Sequence, residues 1–342
     1  MKLDTKKHPL ISVVLVNYNN SRYVSDCINS VLSQTYPNIE IVFCDDSSTD
    51  DSIKIFEKII SGTKRKVTIN KQYRKKNGGR GGAFNKYTGV CNFTGEYVCF
   101  LDTDDIIHKE HIQILFSLIK KYSTDISAVN QTSFNNDDIP TSISIPVKPN
   151  VKIINTHDNI DKFYFMNPEI DFPFSSSYRL YNKEIFRDIK NLPENYFLNS
   201  DSCFSIFAFI NSKTLAQAYN VNTYLYRIID TSDSHSSWYR CLKNNTFDSV
   251  SKLSTHYSRQ LPKLVELIEY RNNKTIKMIF EAAINEKITY RQIRNDYRVY
   301  INKQNKADVI NLLFSNTDSL KQRLARKAFK YTPLFWYLIN TR

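Results

Sequence analysis

Glycine is scarce in this chain, 7 of 342 residues. Four of the seven crowd between Gly78 and Gly82, so most turns are built without it. The first apolar, β-branched run, "LISVVLV" (Leu10–Val16), is followed by "NYNN", which has no glycine. A hydride-transferring dinucleotide site places its glycine-rich turn there, so that class is disfavoured. The same lack weakens a second reading, a sugar nucleotidyltransferase that makes pyrophosphate from a nucleoside triphosphate.

Paired cysteines are also lacking. Cys27, Cys44, Cys91, Cys99, Cys203 and Cys241 form no Cys-x-x-Cys, which argues against a zinc site or a redox motif. Cys44 and Cys99 lie in apolar runs and read as small core residues in a reducing compartment. No run of about 18 apolar residues exists, so no transmembrane helix is expected. The opening "MKLDTKKHPLISVV" carries no signal-peptide apolar region.

Negative charge is in deficit: 34 acidic against 47 basic side chains, a net +13. Such an excess suits an anionic partner such as nucleic acid, anionic lipid or a phosphorylated substrate. Solubility and a composition rich in Lys, Asn and Ile explain the total equally well.

The acid that is present gathers at strand ends. "IEIVFCDD" ends in Asp45 and Asp46, and "YVCFLDTDD" ends in Asp102, Asp104 and Asp105. Both are buried-strand patterns. Between them come amphipathic helices. "SRYVSDCINSVLSQT" has Ser21 as a candidate cap, and "SSTDDSIKIFEKII" has Thr49 or Asp50. A short strand, "KVTINKQ", precedes the glycine-rich "NGGRGGAFNKYTGV". Strands alternating with helices predict a doubly wound parallel sheet, whose ligands sit beyond the strands' carboxyl ends. Both acid clusters are therefore expected at one crevice.

In extended geometry Asp102 and Asp104 share a side. Two such carboxylates repel unless a cation lies between them, and hard oxygen ligands suit Mn²⁺ or Mg²⁺. Asn77–Gly82, with Arg80, reads as a phosphate cradle. Acid clusters at strand ends argue against a basic nucleic-acid-binding protein.

Further on, "HKEHIQILFSLIKKY" reads as a helix and "DISAVNQTSF" as a strand. "SISIPVKP" reads as an edge strand or loop, and "FPFSSSYRLYNKEIF" as loop, strand and helix. "FLNSDSCFSIFAFINS" reads as a helix with Asp201 near its start, and "TYLYRI" as a strand. From about Ser236 the pattern is helical.

In order along roughly the first 115 residues, "ISVVLVNYNNSRYVSDCINSVLSQTYPNIEIVFCDDSSTDDS", "NGGRGGAFNKYTGV" and "TGEYVCFLDTDD" closely resemble family 2 glycosyltransferases. The resemblance implies an α/β GT-A fold, a Rossmann-like mixed sheet flanked by helices, with a mostly helical C-terminal region. It divides the chain into a nucleotide-sugar-binding half (1–115), an acceptor-binding half (116–235) and the helical region (236–342). It implies a nucleotide-sugar donor such as a UDP-sugar, a divalent metal, and inversion at the anomeric carbon. The acceptor would be a hydroxyl of a glycan or lipid-linked carrier in bacterial surface-polysaccharide synthesis.

By position, Asn17 and Tyr18 fall where the first-strand loop contacts the base. Asp46 matches the acid at the uracil or ribose end, Asp102 the ribose-side acid and Asp104 the metal ligand. The positive contact falls on Arg80 or Lys86. The general base falls on Asp201, with Ser200 where the family has Glu and Glu194 as the nearest substitute. Val16-Asn17 replaces the usual Pro-Thr, and Ser47 replaces the Gly of "DDGS". "TYLYRIIDTSDSHSS" resembles the family's Tyr-Arg segment, which brings Arg227 toward a phosphate or acceptor and offers His235 to the diphosphate or metal, although its longer spacing from the Tyr-Arg pair favours a surface residue.

The C-terminal segment places Lys321, Arg323, Arg326, Lys327 and Lys330 before Phe335, Trp336 and Tyr337. Basic residues followed by aromatics suit peripheral contact with an anionic membrane, from a cytoplasmic location. Docking on the catalytic domain is the competing reading.

Overall fold

A computed structural model describes residues 8–77, 83–136, 138–140, 142–156, 176–192, 201–229 and 256–257, with backbone alone at 83–84 and 201–202. The chain divides into two compact units, 1–230 with 248–264 and 231–247 with 265–342. All described residues belong to the first.

Nine strands among the described residues form one sheet. They are β1 (Ile11–Asn17), β2 (Ile39–Asp45), β3 (Thr68–Tyr73), β4 (Tyr97–Asp102), β5 (Ile106–Ile107), β6 (Ile126–Asn135), β7 (Val151–Asn155), β8 (Arg179–Asn182) and β9 (Thr214–Ile228). Their order is β3-β2-β1-β4-β8-β6-β9-β5, with β7 also paired to β9. The β3-β2-β1-β4 portion is parallel. The sheet becomes mixed at β8, which is antiparallel to both β4 and β6.

The helices are α1 (Val24–Leu32), α2 (Ser52–Gly62), α3 (Ala83–Asn92), α4 (His111–Tyr122) and α5 (Asp201–Ile210). No helix among the described residues is long and apolar enough to cross a membrane. Every residue of β1 and β2 is buried, in keeping with their mainly apolar runs, and Glu40 inside β2 is buried with its carboxylate accepting from Ser12 Oγ and the Thr94 N–H. Helix α1 lays Val24, Cys27, Ile28 and Val31 onto this sheet. Phe56 of α2 stacks on Phe43 of β2 with ring centroids 3.9 Å apart, a pairing that contributes about 0.5–1.5 kcal/mol beyond burial. Cys44 and Cys99 are core residues. Helix α3 approaches β1 so closely that a Cβ at Gly89 would lie 2.3 Å from Val14 Cγ1. Glycine at this position sets the height of α3, and with it the reach of Asn85 and Lys86 one turn earlier.

Several local expectations differ. Ser21 does not cap α1; its N–H goes to the Asp50 carboxylate at 2.8 Å, and α1 starts at Val24 without a side-chain cap. Asp50 also accepts the Ser52 N–H at 3.0 Å, so one acid joins the loop before α1 to the start of α2. The segment 142–150 takes the loop alternative of its edge-strand-or-loop reading, and a strand not read from the sequence, β7, follows it. After β8 the chain makes only short 3-10 turns, not an α-helix. Strand β9 is far longer than "TYLYRI" suggested, because residues 214–222 alternate too weakly to read as a strand alone.

Candidate active site

Strand register builds the site. Asn17 pairs with Asp45 across β1–β2, and Val16 with Asp102 across β1–β4. Asp45 pairs with Tyr73 across β2–β3, which sets Arg74 beside Asp46. Three parallel strands thus deliver Asp46, Asp102 and Asp104 to one edge of the sheet, the position where open α/β sheets bind ligands.

The innermost layer is a polar frame. Asn17 is fully buried, and its Nδ2 donates to Asp45 Oδ1 at 2.6 Å and to Ser48 Oγ at 3.2 Å. Its Oδ1 accepts from Thr103 Oγ1 at 2.7 Å, and its carbonyl accepts from Asn85 Nδ2 at 3.0 Å and from the Asp46 N–H at 3.0 Å. Asp45 is equally buried and takes the N–H and hydroxyl of Ser48. Neighbouring Tyr18 is about half exposed, 49%.

Asp46 stands next to this frame, 7% exposed. Arg74 Nη1 donates to Asp46 Oδ1 at 2.9 Å, and Asn77 Nδ2 donates to the Asp46 carbonyl at 3.2 Å. Sequence reasoning passed over Arg74, although a cation directly after a strand facing an acidic strand end was a usable signal. Ser47, with φ 63°, makes the left-handed turn between Asp46 and Ser48.

Asp102 ends β4 and keeps its side chain 31% exposed. Its Oδ2 meets the almost fully buried Lys86 Nζ at 3.4 Å and accepts from Ser177 Oγ at 3.3 Å. Ser177 had no sequence signal, since it precedes β8 some seventy residues away. Extended geometry does not continue past Asp102. The Asp105 N–H returns to the Asp102 carbonyl at 3.0 Å, so residues 102–105 form a tight turn. Asp104 is half-buried, and burial together with the charge of Asp102 pushes its carboxyl up to about 6.

Asp105 turns inward, 2% exposed. It accepts from the Tyr224 hydroxyl at 2.6 Å and from the Arg227 N–H at 2.8 Å. Burial, then the charges of Asp104 and Asp102, raise its carboxyl well above the usual range. Arg227, expected near a phosphate or acceptor, is instead 2% exposed with its guanidinium bonded inside the protein.

Among the described residues no group of three or more His, Cys, Asp or Glu side chains gathers to hold a metal. The Asp102–Asp104 pair nevertheless fits a divalent ion. Mg²⁺ and Mn²⁺ accept one or two carboxylates and complete their shell with phosphate oxygens and water. Burial first, and then the Asp102 charge, raises the Asp104 carboxyl, and a divalent ion at the pair would offset both.

Arg80, Glu194, Ser200, His235 and the basic-aromatic C-terminal segment lie outside the described residues. Asp201 is the first residue of α5, and its side chain is likewise outside them.

The family model "Glycosyl transferase family 2" matches residues 12–190. Glycosyltransferase GlyA of Streptococcus pneumoniae is 38% identical over 125 residues, covering 36% of this chain and 17% of GlyA. Poly(ribitol-phosphate) beta-N-acetylglucosaminyltransferase TarS of Staphylococcus aureus is 26% identical over 208 residues, covering 60% of this chain and 33% of TarS. This chain therefore spans well under half the length of either relative. A TarS crystal structure in complex with UDP-GlcNAc superposes with a TM-score of 0.60 at 16% identity, covering 87% of this chain and 82% of that one. The mannosyltransferase PcManGT of Pyrobaculum calidifontis, in complex with GDP-Man and Mn²⁺, gives 0.53 at 11% identity, covering 96% and 83%. At these identities the structures establish the fold, which is GT-A.

Proposed function

The chain belongs to glycosyl transferase family 2, and from that premise we propose that it moves a sugar from a UDP-sugar to a hydroxyl of a glycan or lipid-linked acceptor, with inversion at the anomeric carbon. One observation carries the reading. Asp46 with Arg74, the Lys86–Asp102 pair and Asp104 stand together at the carboxyl ends of β1, β2 and β4. The TarS complex with UDP-GlcNAc supports a UDP-sugar donor, and the PcManGT complex supports Mn²⁺.

In this reading the half 1–115 holds the donor and the half 116–235 the acceptor. Tyr18 offers an exposed ring to the base, and Asp46 takes the uracil or ribose end. Asn17 acts from behind, by holding the strand ends. Asp102 faces the ribose, and Asp104 with Asp102 would hold Mn²⁺ or Mg²⁺. When bound, that ion supplies positive charge to the leaving diphosphate. Lys86 adds fixed charge at the same place. Asp201, at the start of α5, would take the acceptor hydroxyl's proton as its oxygen attacks C1. A helix N-terminus favours the ionised form that this role needs. Contact with an anionic membrane rests on the sequence of residues 321–337 alone.

The test is UDP release from a panel of UDP-sugars, with and without Mn²⁺. We expect turnover with at least one sugar, abolished in Asp104→Ala and reduced at least about 10²-fold in Asp201→Asn. Metal-dependent turnover retained in Asp104→Ala would remove the metal assignment, and near-wild-type rates in Asp201→Asn would move the base elsewhere.

A further inference from the structure

Asp104 has no element of its own. It sits inside a four-residue turn, yet its carboxylate must stand at a fixed place if it is to serve the donor. Thr103, before it, is pinned to β1: its N–H donates to the Val16 carbonyl at 3.1 Å and its hydroxyl to Asn17 Oδ1 at 2.7 Å. What fixes the other side comes from β9.

Arg227 is the centre of that arrangement. Its Nε donates to the main-chain carbonyl of Asp104 at 2.7 Å. Its Nη2 reaches Asp26 Oδ2 on α1 at 3.1 Å, and its Nη1 donates to the carbonyl of Asn136 just past β6. The rings of Tyr23 and Phe134 lie 4.6 and 4.7 Å from the guanidinium carbon. Its own N–H holds Asp105 Oδ1, while the Tyr224 hydroxyl holds Oδ2. A guanidinium spreads five donors over three nitrogens in fixed directions, which the three donors of a lysine ammonium, all on one atom, do not reproduce. A buried guanidinium must have its N–H donors satisfied as well as its charge paired. Here one donor is directed instead at the peptide of the residue that faces the donor site.

We propose that Arg227, together with Tyr224, is a positioning residue pair that clamps the peptide of Asp104 and so aims its carboxylate at the place where a divalent ion would meet the donor diphosphate. The inference rests on the donor-site reading of Asp104 given above. With Thr103 fixed from β1 and Asp105 fixed from β9, Asp104 keeps only its side-chain torsions. Releasing the clamp lets the carboxylate drift. A misplacement of about 1 Å at a reacting centre costs on the order of 10²-fold in rate. Arg227 also explains why α1, the acidic turn and the ends of β6 and β9 come together there, since its one side chain bonds to or stacks on all of them.

The test uses the full chain with Arg227→Lys and Tyr224→Phe. Tyr224→Phe removes one hydroxyl with little change of volume, so it carries the test if Arg227→Lys does not fold. The readouts are amide hydrogen exchange across residues 103–106, thermal midpoint, and kcat with donor KM. We expect faster exchange at 103–106 with protection of β1, β2 and β4 unchanged. We expect kcat to fall by about tenfold or more while donor KM changes less. Wild-type exchange at 103–106 in a folded variant overturns the clamp. So does a kcat that falls only in step with global stability. If the wild-type protein turns over no nucleotide sugar, the functional reading fails by itself, and the exchange data still decide whether the clamp exists.

Discussion

Asn17 and Asp45 stand opposite each other at the ends of β1 and β2, and Asn17 Nδ2 donates to Asp45 Oδ1 at 2.6 Å. Both side chains are fully buried. The bond ties two strand ends together next to Asp46 and Asp102, and the Asn17 Oδ1 extends the tie to Thr103 on the β4 side. Asn17→Ala would remove one donor from Asp45 and one acceptor from Thr103 without filling the gap. We expect a stability loss of about 1–3 kcal/mol, measured as a shift of the denaturant midpoint at constant slope. Weaker donor binding with an unchanged midpoint would make Asn17 a direct contact to the base and not part of the frame.

Lys86 tests the electrostatics of the acidic turn. Its ammonium is almost fully buried and meets Asp102 at 3.4 Å, beside Asp104. Lys86→Met keeps the packing and removes the charge, so the two carboxylates lose a fixed counter-ion. A charge-assisted contact is worth about 1.5–3 kcal/mol, which predicts a loss of about 10–100-fold in kcat/KM for the donor. Part of it should return as Mn²⁺ is raised. A variant with wild-type kcat/KM at limiting metal would place the positive contact elsewhere, Arg80 being the alternative.

The raised carboxyl of Asp104 gives a pH signature with a definite sign. Burial and the Asp102 charge place it at about 6. Below that value a proton occupies the group, and a divalent ion must displace it to bind. Apparent Mn²⁺ affinity should therefore be flat from about pH 7 upward and fall by about tenfold per pH unit below pH 6. Metal titrations of UDP release across this range read the slope directly. Asp104→Asn should bind metal weakly without the slope. An affinity independent of pH down to pH 5 would mean that Asp104 is not the group that exchanges a proton for the metal.

Strands β1, β2 and β4 were legible because they are mainly apolar runs, and α1 and α2 because they have clean apolar faces. The β2 and β4 runs ended in acids, which located the crevice. Three things were hidden. The turn at 102–105 could not be seen, because periodicity says where a strand runs and not how its end folds; Asp102 and Asp104 were paired on extended geometry, and Asp105 had no role. Arg227 read as a ligand contact because its segment resembles the family's Tyr-Arg segment, and only the fold brings Asp26, Tyr23 and Phe134 around it. Ser177 and Arg74 depend on strand order and register, which are tertiary facts. Strand β7 was missed because its five residues follow an irregular, proline-punctuated stretch that sets no phase.

Ser47 gives a prediction whose sign depends on backbone conformation alone. Its φ of 63° lies in the left-handed region, where an L side chain costs about 1–2 kcal/mol. The turn is imposed from both sides: Asp46 is held by Arg74, and Ser48 is held by Asp45 through its N–H and hydroxyl. Ser47→Gly removes the strain and adds about 0.4–1 kcal/mol of unfolded-state freedom. The balance is a net stabilisation of about 0.5–1 kcal/mol, or a rise of roughly 2 °C in thermal midpoint at this chain size. Turnover should stay at the wild-type level, because the bonds of Asp45, Asp46 and Ser48 do not pass through the Ser47 side chain. Ser47→Val, with a branched Cβ in the same region, should lower the midpoint. If glycine lowers it as well, the serine side chain itself stabilises the turn, and the left-handed geometry is not the dominant cost.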